Sequence, residues 1–352
     1  MSKDSWIGRR WKLIVNLVTL GALVILIFLT WDQLGNTWSN LSKVNAWFLL
    51  VIIPIEALNY HSQARLYQGL FKMVGNKLSY KFLYRASLEL NFVNHVFPSG
   101  GVTGISYFSL RLRDGEKLTA SKATLVHIVK LGLTFVSFEL LIIFGVVALA
   151  INGQASNMAM LVAGSLSTLL IVGTFGFAYI VGSKQRINSF FTAVTKGLNR
   201  VIQLVRPKHP ETININQARG VFEDFHDNYQ EIKRSYKQLQ GPFFWALVAN
   251  ITEVLVLYVV YLAFGEAVNL GAVILAYAVA NFAGLISVLP GGVGVYEALM
   301  IAVMASAGVP PAVSLPVTVM YRVLNTTLQI PPGYYFYHKA LKAGGQPANK
   351  AS

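Results

Sequence analysis

The chain contains no cysteine, which excludes disulfides, thiol catalysis and thiolate metal sites. Charge is scarce as well. Only 12% of residues are charged, against about 25% in a soluble domain. No aspartate falls inside a long apolar run, and Asp224 and Asp227, the one close aspartate pair, have no metal-binding constellation around them. No GxxxxGK(S/T) phosphate loop, GxSxG elbow or HExxH motif is present, so nucleotide hydrolysis and the common hydrolase chemistries have no signature here. The six histidines show no metal-ligand spacing. No cofactor and no metal site are expected, and no catalytic residue is assigned.

What remains is apolar. Hydrophobic residues make up 54% of the chain and the mean hydropathy is +0.52, the composition of a polytopic membrane protein. The formal net charge of +14 does not point to nucleic acid, because the basic residues lie in short clusters between apolar runs. Arg9, Arg10 and Lys12 precede a run from Leu13 to Leu29 with no small-residue cleavage site after it. It reads as an uncleaved first transmembrane helix with a cytoplasmic N-terminus.

Runs of spanning length cover 13–30, 46–64, 123–151, 158–182, 243–264 and 312–337. Two further runs, 82–109 and 271–307, are broken in the middle by Pro98-Ser99-Gly100-Gly101 and Pro290-Gly291-Gly292. Proline removes a backbone donor, and the freed polar groups are costly in hydrocarbon unless they face protein, a cavity or a ligand. The first broken run is flanked by Arg65, Lys72, Lys77, Lys81 and Arg85 on one side and by Arg111, Arg113, Lys117 and Lys122 on the other. The second has no Lys or Arg in either flank. Each is read as a re-entrant hairpin, one entering from each face of the membrane. With that topology 26 of the 29 lysines and arginines are cytoplasmic and only Lys43 is external.

The expected fold is therefore all-α: about six spanning helices and two re-entrant broken-helix hairpins in an inverted repeat. The halves are 1–183, with hairpin 82–109, and 242–343, with hairpin 271–307. Between them 184–241 forms a basic cytoplasmic linker, and 344–352 is a disordered tail. The linker carries two amphipathic stripes, from Ile187 to Val205 and from Val221 to Leu239. They suit helices lying on an anionic membrane surface. Docking of a second copy or of a synthase partner through 184–241 is the other reading.

Two cations fall inside the membrane runs. Lys130 is 32 residues after Pro98 and Arg322 is 32 residues after Pro290. At 1.5 Å per residue, Lys130 lies about 12 Å from Lys122 and Arg322 about 15 Å from Ala312. Both therefore sit near the midplane, where an unpaired cation costs about 2.5–3.5 kcal/mol. Either they share an anion site or they pair structurally with Glu56, Glu139 or Glu253. Arg322 continues into Asn325, Thr326 and Gln329 on one helical face. The second leg of each hairpin would present uncapped N–H groups, near Val102 and Val293, which attract anions. Glu89, Asn91, Asn94 and His95 line the first hairpin, with His95 read as bonded within it.

Leu289-Pro290-Gly291-Gly292-Val293-Gly294-Val295-Tyr296-Glu297 resembles the hallmark of the lysylphosphatidylglycerol synthase transmembrane family. The stretch from Asn91 to Gly104, with Asn94, Pro98, Gly100 and Gly101, is similar to that family's first hairpin. The resemblance spans nearly the whole chain. It implies a phospholipid-translocator-like domain with Pro98, Gly100, Gly101, Pro290, Gly291, Gly292 and Glu297 on matching motif positions. The family's full-length synthases continue into a cytosolic aminoacyltransferase domain that this sequence lacks, so aminoacylation of lipid is not expected. The first expectation is a flippase-like protein of a prokaryotic plasma membrane, with both termini cytoplasmic. It would bind or move an anionic phospholipid or a polyprenyl-phosphate-linked lipid through Lys130, Arg322, Asn94, Asn325, Glu297 and the hairpin glycines. An intramembrane lipid-modifying transferase and a non-transporting accessory subunit of an envelope synthase are the alternatives.

Overall fold

The computed structural model describes residues 44–96, 102–116, 118–190, 192–193, 196, 226–286 and 294–343. Among the described residues the chain is helical, with no strand. The long helices are α1 (Ala46–Met73), α2 (Tyr80–Val96), α3 (Val102–Glu116), α4 (Ala120–Ile151), α5 (Asn157–Val181), α6 (Gln240–Ala263), α7 (Leu270–Ile286), α8 (Val295–Ser306) and α9 (Pro311–Ala343). The expected first helix at 13–30, most of the linker, both hairpin tips and the tail lie outside the described residues.

Local sequence sets the boundaries. The side chains of Asn45, Thr119 and Ser156 accept the backbone N–H groups of Trp47, Lys122 and Ala159, so α1, α4 and α5 each start on an N-cap. α1 and α6 both stop two residues before a glycine, Gly75 and Gly265, each at φ 79°. A side chain would be strained in that conformation, so it ends the helix cleanly. Each broken run is two helices, α2–α3 and α7–α8, and the two helices of each pair pack against one another.

Three helical stretches are long and apolar enough to cross a membrane: Ser121–Ile151, Asn157–Val181 and Tyr236–Ala263. α1 and α9 have the length, at 28 and 33 residues, but part of each is polar. Their buried polar residues include Glu56, Asn59, Ser314, Thr318 and Gln329. α4 and α5 instead expose apolar side chains, with Phe144 56%, Leu161 67% and Phe175 71% accessible. Polar groups inside and large apolar groups outside invert the soluble pattern and suit a lipid surround. α7 is apolar apart from Tyr277 and Asn281 and is buried from Gly271 to Ala278, as a helix apolar on nearly every side must be.

α1 and α6 pack along each other at the centre, close enough that a Cβ on Gly69 would stand 2.8 Å from the Pro242 ring. Around them the contacts come in matching pairs. α4 lies on α7 as α9 lies on α2, and α3 packs on α4 as α8 packs on α9. Both outer contacts are glycine-mediated. A Cβ on Gly271 of α7 would overlap the Gly145 carbonyl oxygen of α4, and one on Gly333 of α9 would stand 2.6 Å from Phe92 Cβ of α2. Small residues let helix backbones approach where no hydrophobic driving force separates protein from lipid. The linker ends meet each other: Lys184 pairs with Asp227 at 2.9 Å, and His226 Nδ1 donates to the Val181 carbonyl at 2.8 Å.

Candidate functional site

Among the described residues, side chains of eight helices, all of those above but α3, line one cavity of about 320 Å³. Lys130 enters from α4 and Arg322 from α9, so the two cations singled out from the sequence line the same space. Each heads a stripe of equal spacing, Lys130-x3-Thr134-x2-Ser137 and Arg322-x3-Thr326-x2-Gln329. Each stripe ends on a polar side chain that braces a central helix. Asn250 of α6 donates to Ser137 Oγ at 2.5 Å and to the Thr134 carbonyl at 3.0 Å. Gln329 Nε2 donates to both carboxylate oxygens of Glu56 of α1 at 3.2 Å. Each cation also lies beside a tyrosine ring, Lys130 Nζ 6.0 Å from the centroid of Tyr67 and Arg322 Cζ 4.8 Å from that of Tyr296.

The counter-charges differ. Arg322 Nε stands 3.3 Å from Glu297 Oε1, with both side chains largely buried. Glu297 Oε2 accepts the Gly294 N–H at 2.7 Å, so one carboxylate both neutralises the arginine and caps α8. This revises the expectation of an uncapped helix end: α8 begins at Val295, and its N-terminal partial positive charge already faces an anion. It also revises the pairing expected for Arg322, whose carboxylate partner here is the Glu297 of the Pro-Gly-Gly motif. Lys130 has Glu253 of α6 within electrostatic range. The Glu253 carboxylate is flanked by the Tyr277 and Tyr321 hydroxyls and by Asn59.

Behind the cations runs a continuous amide network. Asn91 of α2 donates to Gln329 Oε1 at 2.5 Å and to the Tyr60 hydroxyl at 2.6 Å. Gln329 also donates to Asn325. Asn59 donates to Thr252 Oγ1 at 2.9 Å and to the Ala249 carbonyl at 3.0 Å, and accepts from Gln63 at 2.7 Å. In a low-dielectric interior such a network holds its members in place, because each unmade bond is expensive. His95 donates from Nδ1 to the Asn91 carbonyl at 2.9 Å, within its own helix.

Of the residues singled out from the sequence, Lys130, Arg322, Asn94 and Asn325 line the cavity. Glu297 sits directly behind Arg322. Pro98, Gly100, Gly101, Pro290, Gly291 and Gly292 lie outside the described residues. The sequence reading passed over Tyr277 and Asn281 of α7, both in the lining. Their signal was available: they are polar and four apart, one helical turn, in an otherwise apolar run.

Comparison with known proteins agrees with the composition and the fold. A UPF0104 membrane protein of Methanothermobacter thermautotrophicus is 22% identical over 319 residues, covering 89% of this chain and 90% of that one. One from Methanocaldococcus jannaschii is 21% identical over 327 residues, 90% of this chain and 92% of its own. One from Pyrococcus horikoshii is 18% identical over 318 residues, 88% and 92% respectively. The family model of the lysylphosphatidylglycerol synthase transmembrane region matches residues 17–333, and the chain belongs to that family.

Proposed function

We propose that this protein is a flippase-like carrier of an anionic lipid in a prokaryotic plasma membrane, acting by translocation without a covalent step. The lipid is a phospholipid such as phosphatidylglycerol or cardiolipin, or a polyprenyl-phosphate-linked one. The observation that carries the reading is the convergence of Lys130 and Arg322, one from each helix series, on a single cavity. A cation held within a membrane is costly and is kept where it serves a substrate path or a structural pair. The headgroup phosphate would dock by exchanging with Glu297 at Arg322, so that binding and release replace one counter-anion with another and never strand the guanidinium.

In this reading α1–α4 and α6–α9 form an inverted repeat, with α2–α3 and α7–α8 as re-entrant hairpins from opposite faces and both termini in the cytoplasm. The matched packing of α4 on α7 and α9 on α2 supports it, as do the equal spacing of the Lys130 and Arg322 stripes and the sorting of basic residues. Alternating access follows if one series rocks against the other around the fixed site. The absence of cysteine makes the topology easy to test. Single cysteines at Ser79 and Lys117 should label from the cytoplasm, and at Asn269 and Gly308 from outside. Either pair labelling from opposite faces overturns the repeat.

The function is tested by the flux of fluorescent phosphatidylglycerol in proteoliposomes. The protein should accelerate it over protein-free vesicles, and Thr326→Trp, which fills the cavity from α9, should abolish the gain. Flux equal to that of empty vesicles overturns the reading.

A further inference from the structure

The lining of the cavity has more neutral hydrogen-bonding groups than a bare phosphate can use. Its two cations already have carboxylates to face, Glu297 at Arg322 and Glu253 near Lys130. The walls otherwise set three amides, Asn94, Asn281 and Asn325 from three different helices, among aromatic and aliphatic side chains such as Tyr277, Phe282 and Leu131. A carboxamide carries two donors and a two-lone-pair acceptor. That set matches hydroxyl groups, which both donate and accept, better than it matches phosphate oxygens, which only accept. The volume, about 320 Å³, is that of about ten water molecules at about 30 Å³ each and exceeds what one phosphate fills. Asn325 is held in the fixed network through Tyr321 at 3.2 Å and Gln329, so the amide-bearing wall on that side is pre-organised before any ligand arrives.

We propose that the headgroup taken into this cavity is polyhydroxylated, a sugar or cyclitol ring on the lipid phosphate, bonded by Asn94, Asn281 and Asn325 and flanked by the aromatic side chains of α7. This rests on the reading of the cavity as a lipid-headgroup site, and it names the headgroup. Sites built to hydrogen-bond hydroxyls reject analogues without them, because the buried polar groups are then left unpaired.

The test is native mass spectrometry of the purified protein with phosphatidylinositol, phosphatidylglycerol, phosphatidic acid and phosphatidylcholine of identical acyl chains. Retention should follow hydroxyl number among the anionic lipids, with phosphatidylinositol at least about tenfold above phosphatidic acid, which is about 1.4 kcal/mol. Asn281→Leu should lower phosphatidylinositol far more than phosphatidic acid and bring the two to similar retention. Asn94→Ala, on a different helix, provides the same readout if the first variant melts early. Equal retention of phosphatidylinositol and phosphatidic acid overturns the polyhydroxyl inference and leaves the anionic-lipid reading standing. Equal retention of phosphatidic acid and phosphatidylcholine overturns the anionic-lipid reading itself. Soluble inositol 1-phosphate is the last arm. It should compete only at far higher concentration than the lipid, and competition at equal concentration overturns the assignment to a lipid headgroup.

Discussion

Lys130 of α4 and Arg322 of α9 head matching stripes, each with a threonine four residues on, a polar brace seven residues on and a tyrosine ring alongside. They differ in how their charge is met. Arg322 has Glu297 at 3.3 Å, and that carboxylate is itself fixed by the α8 backbone. Lys130 has Glu253 in electrostatic range, through a site shared with Tyr277, Tyr321 and Asn59. Guanidinium is a rigid, weakly hydrated fork suited to a fixed pair, whereas an ammonium on a flexible stem is a movable point charge. The difference teaches that matched backbones need not carry matched duties. The Arg322 station combines binding with architecture, and the Lys130 station is freer to serve a ligand.

Stability should therefore divide the two stations sharply. Arg322→Ala strands the buried Glu297 carboxylate and should cost about 3–5 kcal/mol, the range for breaking one side of a buried ion pair. Arg322→Met combined with Glu297→Gln should recover most of that loss, because a pair of uncharged groups leaves no charge unmet. Denaturation in detergent micelles measures both. A single variant that unfolds like the parent protein would show that the ion pair contributes nothing, and the contrast between the stations would disappear.

The braces below the cations sharpen the same contrast at smaller magnitude. Gln329→Leu removes the donor to both Glu56 oxygens and to Asn325 and the acceptor of Asn91, so about 2–3 kcal/mol should be lost. Asn250→Leu removes bonds to a hydroxyl and a carbonyl, both neutral, and should cost about 1–2 kcal/mol. The larger network leaves more buried polar groups unmet when its centre is removed. Equal losses in the two variants would show that the Gln329 network contributes no more than the two Asn250 bonds.

Much of this arrangement was legible in the chain. The runs at 123–151, 158–182 and 243–264 became α4, α5 and α6 within a few residues, because length and hydropathy alone decide a helix in an apolar surround. The polar spacing after Lys130 and Arg322 was there to be read as well. The partner of Arg322 was harder to find. Glu297 is 25 positions upstream on another helix, and only the turn at Gly294 folds its side chain back onto both the helix end and the guanidinium. The span at 46–64 was drawn short for a related reason. α1 continues to Met73 through Gln63, Arg65 and Gln68, and falling hydropathy looks like a helix end although the helix runs on, with Gln63 in the cavity lining and Arg65 exposed. Tyr277 and Asn281 were missed because a run apolar on nearly every side reads as plain core.

The smallest expected stability effect belongs to Lys130, and it is the most informative. Lys130→Ala removes a cation whose insertion costs about 2.5–3.5 kcal/mol and forfeits an electrostatic attraction to Glu253. These contributions oppose one another, so the melting temperature should stay close to that of the parent protein. Flux of phosphatidylglycerol should nonetheless fall about tenfold, the equivalent of about 1.4 kcal/mol of lost headgroup attraction. Lys130→Arg is the discriminating partner. It keeps the charge but replaces a movable ammonium with a planar fork beside the Tyr67 ring, and should restore binding more fully than turnover, since the fork would hold its anion against release. A Lys130→Ala variant that loses stability as heavily as Arg322→Ala would place both cations in fixed pairs and return the two stations to equivalence.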